Sequence, residues 1–290
     1  MFKRKIAVLT DSSAALTPTE TAALHVATLH LPITLGNAEY RESLDASDET
    51  IIRRAKLSRD ILSLGQNSLQ EIGEIVHKLS EQGYEACVAI HISSGISGLG
   101  GNLVTYSNMR ECPIPLYVFD SRATGISQKH QVLLACALAK AGFSPEDILS
   151  KLAVFRKSQQ TYLFVNDVHT LLKTGHISNH LPSVVPVKTL LRFNEDGCLE
   201  LEGKVLLMKN TYEDLAEKLE FQLSLMGSDF SFSMMYDEAA ASDWSIIDER
   251  LHTDFPRLHI ERMPMKPSLW SYAGKKSALL SFEPDWKLYV

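Results

Sequence analysis

The stretch His91-Ile92-Ser93-Ser94-Gly95-Ile96-Ser97-Gly98 connects an apolar run, residues 87–92, to a segment that predicts a helix, residues 99–109. The apolar run predicts a buried strand, so the hydroxyls and glycines lie at a strand-to-helix turn. Glycines let a ligand approach the backbone, and the N–H groups of a first helical turn attract an anion. Three serines add neutral donors without positive charge, which favours a carboxylate over a polyphosphate. This turn is therefore a candidate carboxylate site.

Strand-like and helix-like segments alternate on both sides of this turn, from the first residues to about residue 158. The predicted strands cover residues 6–9, 28–35, 86–92 and 116–120, and the predicted helices cover residues 47–57, 68–82, 97–109 and 126–141. Two further helices start at Ser144 and at Thr17, where Pro18 and Glu20 complete a capping box. The alternation predicts an α/β fold with a mostly parallel sheet flanked by helices.

The pattern changes after residue 158. Strands are predicted at residues 161–165, 230–236, 257–260 and 278–282, a hairpin at residues 189–207, and helices at residues 167–173, 210–226 and 239–251. The turn Asn194-Glu195-Asp196-Gly197 closes the hairpin, whose strands therefore pair antiparallel. We predict two domains, an N-terminal α/β domain at residues 1–158 and a C-terminal α/β domain with an antiparallel hairpin at residues 159–290.

The composition is that of an ordinary globular protein, with 290 residues, 45% of them hydrophobic, and a formal net charge of −6. A negative net charge gives no electrostatic footprint for nucleic acid. The apolar run after Lys3-Arg4-Lys5 is too short for a signal peptide or for membrane insertion. The four cysteines are far apart and form no C-x-x-C motif. Such spacing is typical of free thiols in a reducing compartment, so we expect a cytoplasmic protein.

Catalytic motifs are incomplete in this sequence. The segment Gly95-Ile96-Ser97-Gly98-Leu99 lacks the final glycine of a nucleophile elbow, and no base is visibly placed. We therefore expect no enzymatic activity, and keep a serine hydrolase acting through Ser94 or Ser97 as the alternative. Asp11 and Ser12, at the end of the first strand, share the sheet edge with the serine turn. The favoured interpretation is that they cap the following turn and shape the cleft.

One histidine pair has the spacing of metal ligands. His176 and His180 are four residues apart, with Asp167 and His169 near them in the sequence. No acidic or sulfur ligand lies directly beside the pair, which is typical of a turn and helix start rather than of a metal site. We expect no metal and no cofactor.

The order of these segments resembles the DegV family of bacterial fatty-acid-binding proteins, nearly from end to end. The segment Lys5-Ile6-Ala7-Val8-Leu9-Thr10-Asp11-Ser12-Ser13 resembles the family's opening strand and its T-D-S motif. The stretch from His91 to Gly98 resembles its I-S-S-x-x-S-G motif, and Phe119-Asp120-Ser121 resembles its D-S pair. Tyr162-Leu163-Phe164-Val165 resembles the strand that opens its second domain.

The resemblance implies a function that composition and spacing do not indicate. It implies an apolar tunnel that holds one long-chain fatty acid between the two domains, with its carboxylate near Ser94. It also implies a possible partner, because members serve as the acyl-carrying subunit of a fatty-acid kinase. Ser94 is the first choice for the carboxylate, and Ser63, Ser97 and Ser93 are secondary choices.

The chain departs from the family pattern near its C-terminal end, where H-T-G-x-G becomes Tyr272-Ala273-Gly274-Lys275-Lys276. The family histidine that reaches the carboxylate is replaced here. Tyr272 is the candidate replacement as a hydrogen-bond donor, and Lys275 or Lys276 supplies charge. The departure also gives weight to another alternative, an interaction protein that has lost its ligand.

Overall fold

The computed structural model describes residues 5–58, 60–166, 171, 188–205, 208–226, 229–237 and 241–290. The elements of the first half are β1 (Ile6–Asp11), α1 (Pro18–Leu24), β2 (Ala27–Leu29), β3 (Pro32–Leu35), β4 (Ala38–Arg41), α2 (Asp48–Leu57), β5 (Leu62–Leu64), α3 (Leu69–Glu81), β6 (Ala86–His91), α4 (Leu99–Ser107), β7 (Leu116–Asp120), α5 (Gly125–Ala141) and α6 (Pro145–Ser158). The elements of the second half are β8 (Gln160–Val165), β9 (Lys188–Phe193), β10 (Leu199–Val205), α7 (Met208–Met226), β11 (Phe230–Tyr236), α8 (Ala241–Asp254), β12 (His259–Pro264), α9 (Pro267–Ala273) and β13 (Ala278–Pro284).

The first half is built on the predicted parallel sheet, with strand order β2-β1-β6-β7. Helices α3 and α4 pack on one face, and α5 and α6 pack on the other. The predicted capping box is present at the start of α1. The Thr17 hydroxyl accepts the Glu20 N–H at 3.1 Å, and the Glu20 carboxylate accepts the Thr17 N–H at 2.8 Å. The sequence prediction of a helix-flanked parallel sheet is therefore confirmed.

The predicted single strand at residues 28–35 is wrong. The chain forms two separate strands there, and they belong to different sheets, since β2 joins the parallel sheet while β3 lies in an antiparallel sheet of order β4-β3-β5. Pro32 explains the break, because it has no N–H with which to continue the ladder of β2. The small antiparallel sheet was not predicted from the sequence.

The second half is a mixed six-stranded sheet of order β10-β9-β8-β13-β11-β12. The predicted hairpin is confirmed, since β9 and β10 pair antiparallel. Only β11 and β12 pair in parallel within this sheet as described. Helix α9 was not predicted, although Pro267 occupies its first turn, where proline is favoured. Apart from residue 171, the predicted helix at 167–173 lies outside the described residues.

One of the apolar clusters contains side chains of both halves of the chain. Successive side chains of β8 alternate between two clusters, because a strand projects them to opposite faces. Tyr162 and Phe164 pack in a cluster confined to the second half, whereas Leu163 and Val165 pack in a cluster that also contains side chains of the first half. Helix α5 lies between the sheets and contacts strands of both. The division into domains at residues 158 and 159 stays a prediction.

Candidate functional site

Asp11 is a structural carboxylate that holds the end of β1 in place. Its Oδ1 accepts the N–H of Ser13 at 3.1 Å, and its Oδ2 accepts the N–H of Ile92 at 2.7 Å and the amide of Gln128 at 3.1 Å. The side chain is buried, and this burial raises its pKa. The contact with Ser13 confirms the interpretation that Asp11 caps the turn after β1. The same carboxylate also ties β1 to the end of β6 and to α5.

The turn after β6 uses many of its own donors internally. The carbonyl of Ser93 accepts the N–H groups of Ile96 and Ser97, at 3.1 and 3.0 Å. The Ser93 hydroxyl accepts the Gly95 N–H at 3.2 Å, and the Ser97 hydroxyl accepts the Leu99 N–H at 3.3 Å. These contacts fix the shape of the turn, and they leave fewer of its backbone N–H groups for an anion than the sequence pattern predicts.

Ser94 is the exposed hydroxyl of this turn, and His91 lies beside it. A Cβ built on Gly100 comes within 2.7 Å of the Ser94 Oγ and 2.8 Å of the His91 Nε2, so both side chains occupy the space over this glycine. His91 Nδ1 lies 2.6 Å from the carbonyl of Ile92, to which it must donate. In the neutral ring Nε2 is then an acceptor near Ser94. The contact with Ile92 is that of a structural histidine held by the backbone, and no hydrogen bond joins His91 to Ser94 among the described residues.

The hairpin turn of the second half docks directly on the serine turn. The Ser93 hydroxyl donates to the Gly197 carbonyl at 2.7 Å, and Ser93 is fully buried by the contact. The approach is close, because a Cβ on Gly95 would lie 2.2 Å from the same carbonyl oxygen. The sequence pattern at residues 194–197 predicts only a hairpin turn and does not indicate this contact.

The loop after β5 covers the other side of the serine turn. A Cβ on Gly98 would lie 2.0 Å from the Gln66 side-chain oxygen, and the Asn102 amide donates to the Asn67 carbonyl at 2.8 Å. Ser63 lies in β5, where its backbone pairs with Thr34 and its side chain is exposed. The side chain of this segment that contacts the turn is therefore Gln66, three residues after Ser63.

Tyr272 reaches the serine turn from α9. Its hydroxyl donates a hydrogen bond to the carbonyl of Ile96, and the side chain is buried, which raises its pKa. The start of α9 is held by a second buried contact, since the Ser268 N–H donates to the Glu42 carboxylate at 2.7 Å. The hydroxyl that the sequence analysis offered to a carboxylate is therefore already bonded to the protein.

The comparison with known proteins gives a family. The model described as "Uncharacterised protein, DegV family" matches residues 5–285 of the chain. The chain belongs to the DegV family. Protein DegV of Bacillus subtilis is 30% identical over 220 residues, which cover 74% of this chain and 77% of that protein.

Solved structures of DegV proteins have the same fold. One is described as DegV, a fatty acid binding protein from Bacillus subtilis, with a TM-score of 0.86 and 22% identity over 97% of this chain and 99% of that one. Another is described as a stearic acid-binding protein from Eubacterium ventriosum, with a TM-score of 0.85 and 16% identity over 99% of this chain and 100% of that one. The DegV fold therefore extends over nearly the whole chain.

Of the five residues that the DegV resemblance marks as ligand contacts, four meet at one place. The serine turn carries Ser93, Ser94 and Ser97, and Tyr272 contacts its backbone. Ser63 lies on the neighbouring β5, and no contact joins its side chain to the turn in the part of the chain that the structure describes. Their role as ligand contacts stays a prediction. A separate open cleft of about 1350 Å³ beside β2 is lined by Asp11 and Ser12 but by none of these five residues.

Among the described residues, no group of three metal-ligating His, Cys, Asp or Glu side chains occurs, and no helix is long and apolar enough to cross a membrane. His169, His176, His180 and Asp167, which the sequence analysis weighed as metal ligands, lie outside the described residues.

Proposed function

We propose that this DegV protein is a cytoplasmic carrier that binds one long-chain fatty acid between an N-terminal domain, residues 1–158, and a C-terminal domain, residues 159–290, and does no chemistry on it. The observation that carries the proposal is the apolar cluster shared by the two halves. It includes Ile52 and Ile96 from the first half and Leu163, Leu191 and Leu279 from the second. The similarity to structures described as binding fatty acids supports this choice of ligand.

The apolar part of such a ligand supplies the driving force. Burying a CH₂ group contributes about 0.8 kcal/mol, so a chain of roughly fifteen groups has a gross drive near 12 kcal/mol. Association and the ordering of the chain remove a large part of this free energy. The remainder is enough to keep the ligand bound through purification.

The head group is proposed to lie at the serine turn, with Ser94 as its first hydroxyl contact and Ser93, Ser97, Ser63 and Tyr272 around it. The exposure of Ser94 supports this position, because an exposed hydroxyl at the end of an apolar region can meet a carboxylate and solvent at once. The same exposure supports presentation of the acyl group to a partner such as a fatty-acid kinase.

Mass spectrometry of a solvent extract tests the binding proposal. The protein, purified from its expression host, is expected to release about one long-chain fatty acid per chain, and the delipidated protein is expected to take up added palmitate. An extract without stoichiometric acyl chain, together with no uptake of palmitate, would instead favour an interaction protein that has lost its ligand.

A serine hydrolase acting through Ser94 or Ser97 is the second candidate, and the position of the Ser94 and His91 side chains over the same glycine, Gly100, favours it. Against it, the Gly95 N–H already donates to Ser93, and the Ser94 N–H lies 3.3 Å from the Asp120 carboxylate, so neither stabilises an oxyanion. We therefore expect no burst of product when the protein is mixed with p-nitrophenyl butyrate. A burst would favour the hydrolase over the carrier.

A further inference from the structure

An open cleft of about 1350 Å³ runs beside β2, and no residue of the serine turn lines it. Its lining includes Ala22 of α1 on one side and Leu79 of α3 on the other. Helix α1 is joined to α5 by the ion pair of Glu20 with Lys129, at 2.8 Å, so α1 and α3 lie on opposite faces of the parallel sheet. A cleft that reaches both helices must pass around the edge of this sheet.

The edge that the cleft follows is the free edge of β2. In the parallel sheet as described, β2 pairs with β1 along one edge and with no strand along the other. The N–H and C=O groups of successive residues in a strand point alternately to its two edges, so a strand paired along one edge keeps unpaired backbone groups on the other. Ala27 and Thr28 of β2 line the cleft. The cleft therefore contains a strand edge that can accept another strand.

The cleft has the length of a short extended segment. Lys5, just before β1, and Ser12, just after it, both line the cleft, so it extends along the whole of β1. The six residues of β1, at about 3.3 Å each, span about 20 Å. Apolar side chains line the cleft along this length, among them Leu16, Leu44 and Ile75. An extended segment of about six residues fits this length, and its alternate side chains face the apolar walls.

One end of the cleft is positively charged, although the whole chain has a formal net charge of −6. Lys5 and Lys78 line that end. Lys5 Nζ donates to a backbone carbonyl at 2.9 Å, and no carboxylate of the described residues forms an ion pair with either ammonium. The carboxylates in the lining are already bonded, since Asp11 is buried at the end of β1 and Asp48 lies 2.7 Å from the ammonium of Lys266. The two unpaired ammonium groups therefore favour a partner with acidic side chains.

We propose that this cleft is a docking site for an extended segment of a partner protein, which pairs with β2 as an added strand and places acidic side chains opposite Lys5 and Lys78. Backbone hydrogen bonds to β2 give such a segment its affinity, and contacts of its alternate side chains give selectivity. The proposal is independent of fatty-acid binding, because none of the five residues proposed for the head group lines the cleft.

Selection of random heptapeptides displayed on phage tests this docking site. The wild-type protein is expected to enrich peptides with alternating apolar residues and with Asp or Glu near one end. In Ala22→Trp the indole fills the cleft, so the affinity for the enriched peptides, measured by fluorescence polarisation, is expected to fall about tenfold or more. Ala23→Trp is the matched control, because Ala23 is the next exposed residue of α1 and lies outside the cleft.

Two further measurements test the backbone pairing and the charge. Only alternate N–H groups of an added strand face β2, so methylating one alternate set of peptide nitrogens should abolish binding, whereas methylating the other set should leave most of it. Lys78→Glu is expected to weaken the enriched peptides about tenfold. Lys157→Glu, at an exposed lysine of α6, should leave their affinity unchanged.

Each of these measurements has an outcome that contradicts the proposal. A selection that enriches no peptide, or one whose peptides bind Ala22→Trp as tightly as wild type, would overturn the docking site. Peptides that lose affinity in Ala22→Trp yet bind equally well with either set of nitrogens methylated would overturn the addition of a strand to β2. Equal affinities for wild type and Lys78→Glu would overturn the acidic character of the partner.

Discussion

Replacing His130 with leucine is expected to destabilise the protein strongly. His130 lies on α5, is 6% exposed, and its Nδ1 contacts the Glu283 carboxylate while its Nε2 lies 3.0 Å from the Glu261 carboxylate. Burial acts to lower the pKa of His130, but the two carboxylates outweigh it and raise the pKa from 6.5 to about 10. The imidazolium thus neutralises charge at the contact between α5 and the mixed sheet.

The size of the effect follows from the buried Glu283 charge that His130→Leu leaves unpaired. The Glu283 side chain is fully buried, and among the described residues the Gln159 amide is its remaining side-chain partner. Removing one partner of a buried ion pair costs about 3–5 kcal/mol, because the other charge remains desolvated. Because the free energy of unfolding of native proteins is about 5–15 kcal/mol, the variant is expected to lose a large part of its stability.

The same contact predicts how stability depends on pH. A histidine whose pKa is raised on folding contributes its full stabilisation below the unfolded value of 6.5, and loses it as the pH rises through about 10. The wild-type protein should therefore lose stability between pH 7 and pH 10. In His130→Leu this contribution is absent, so the difference between the two proteins should narrow over that range.

Urea unfolding followed by circular dichroism at pH 7 and pH 9.5 measures both effects. His77→Leu, at an exposed position of α3, is the control, and we expect it to change stability by less than about 0.5 kcal/mol. The double variant His130→Leu, Glu283→Leu removes the stranded charge and should recover much of the loss. A loss below about 1 kcal/mol in His130→Leu, or an equal difference at both pH values, would refute this account of the network.

Two further predictions concern contacts around the serine turn. Gly197→Ala places a methyl group 2.2 Å from the Ser93 Oγ at a φ of +76°, so it should lower the free energy of unfolding by about 2 kcal/mol or more. The control Gly203→Ala meets open space and should lower it little. Equal midpoints of thermal unfolding for the two variants would contradict the docking of the hairpin. Tyr272→Phe strands the carbonyl of Ile96 and should cost about 1–2 kcal/mol in urea unfolding, and an unchanged midpoint would mean that this hydrogen bond adds nothing.

Local signals were enough to predict most of the elements. The Thr17 and Ser144 caps mark the starts of α1 and α6, and the run at residues 86–92 marks the central strand, because each pattern acts over a few residues. The antiparallel sheet around β3 escaped prediction because its pairing depends on chain that arrives more than twenty residues later, in β5. Pro32 was the available signal that the strand at 28–35 must break.

The site was predicted less completely than the fold, and for a physical reason. The hydroxyls of the serine turn were visible in the sequence, but their partners come from distant segments. Ser93 donates to Gly197, which is 104 residues away, and Tyr272 donates to a carbonyl 176 residues away. A sequence shows that a serine can bind an anion, and it does not show that the protein itself already uses the donor.

Helix α9 ends in the segment, residues 272–276, at which the chain departs from the pattern it resembles, and the helix places two of its side chains in different surroundings. Residues two apart in a helix point about 200° from each other, so Tyr272 and Trp270 lie on nearly opposite faces. The Tyr272 hydroxyl donates to the backbone of the serine turn, and Trp270 lines a pocket of about 380 Å³ beside β5. The tyrosine hydroxyl is held by the carbonyl of Ile96, and the indole nitrogen of Trp270 is enclosed by the protein. Helix α9 therefore holds the shape of the serine turn through Tyr272, while the hydroxyl that this turn exposes to solvent is that of Ser94.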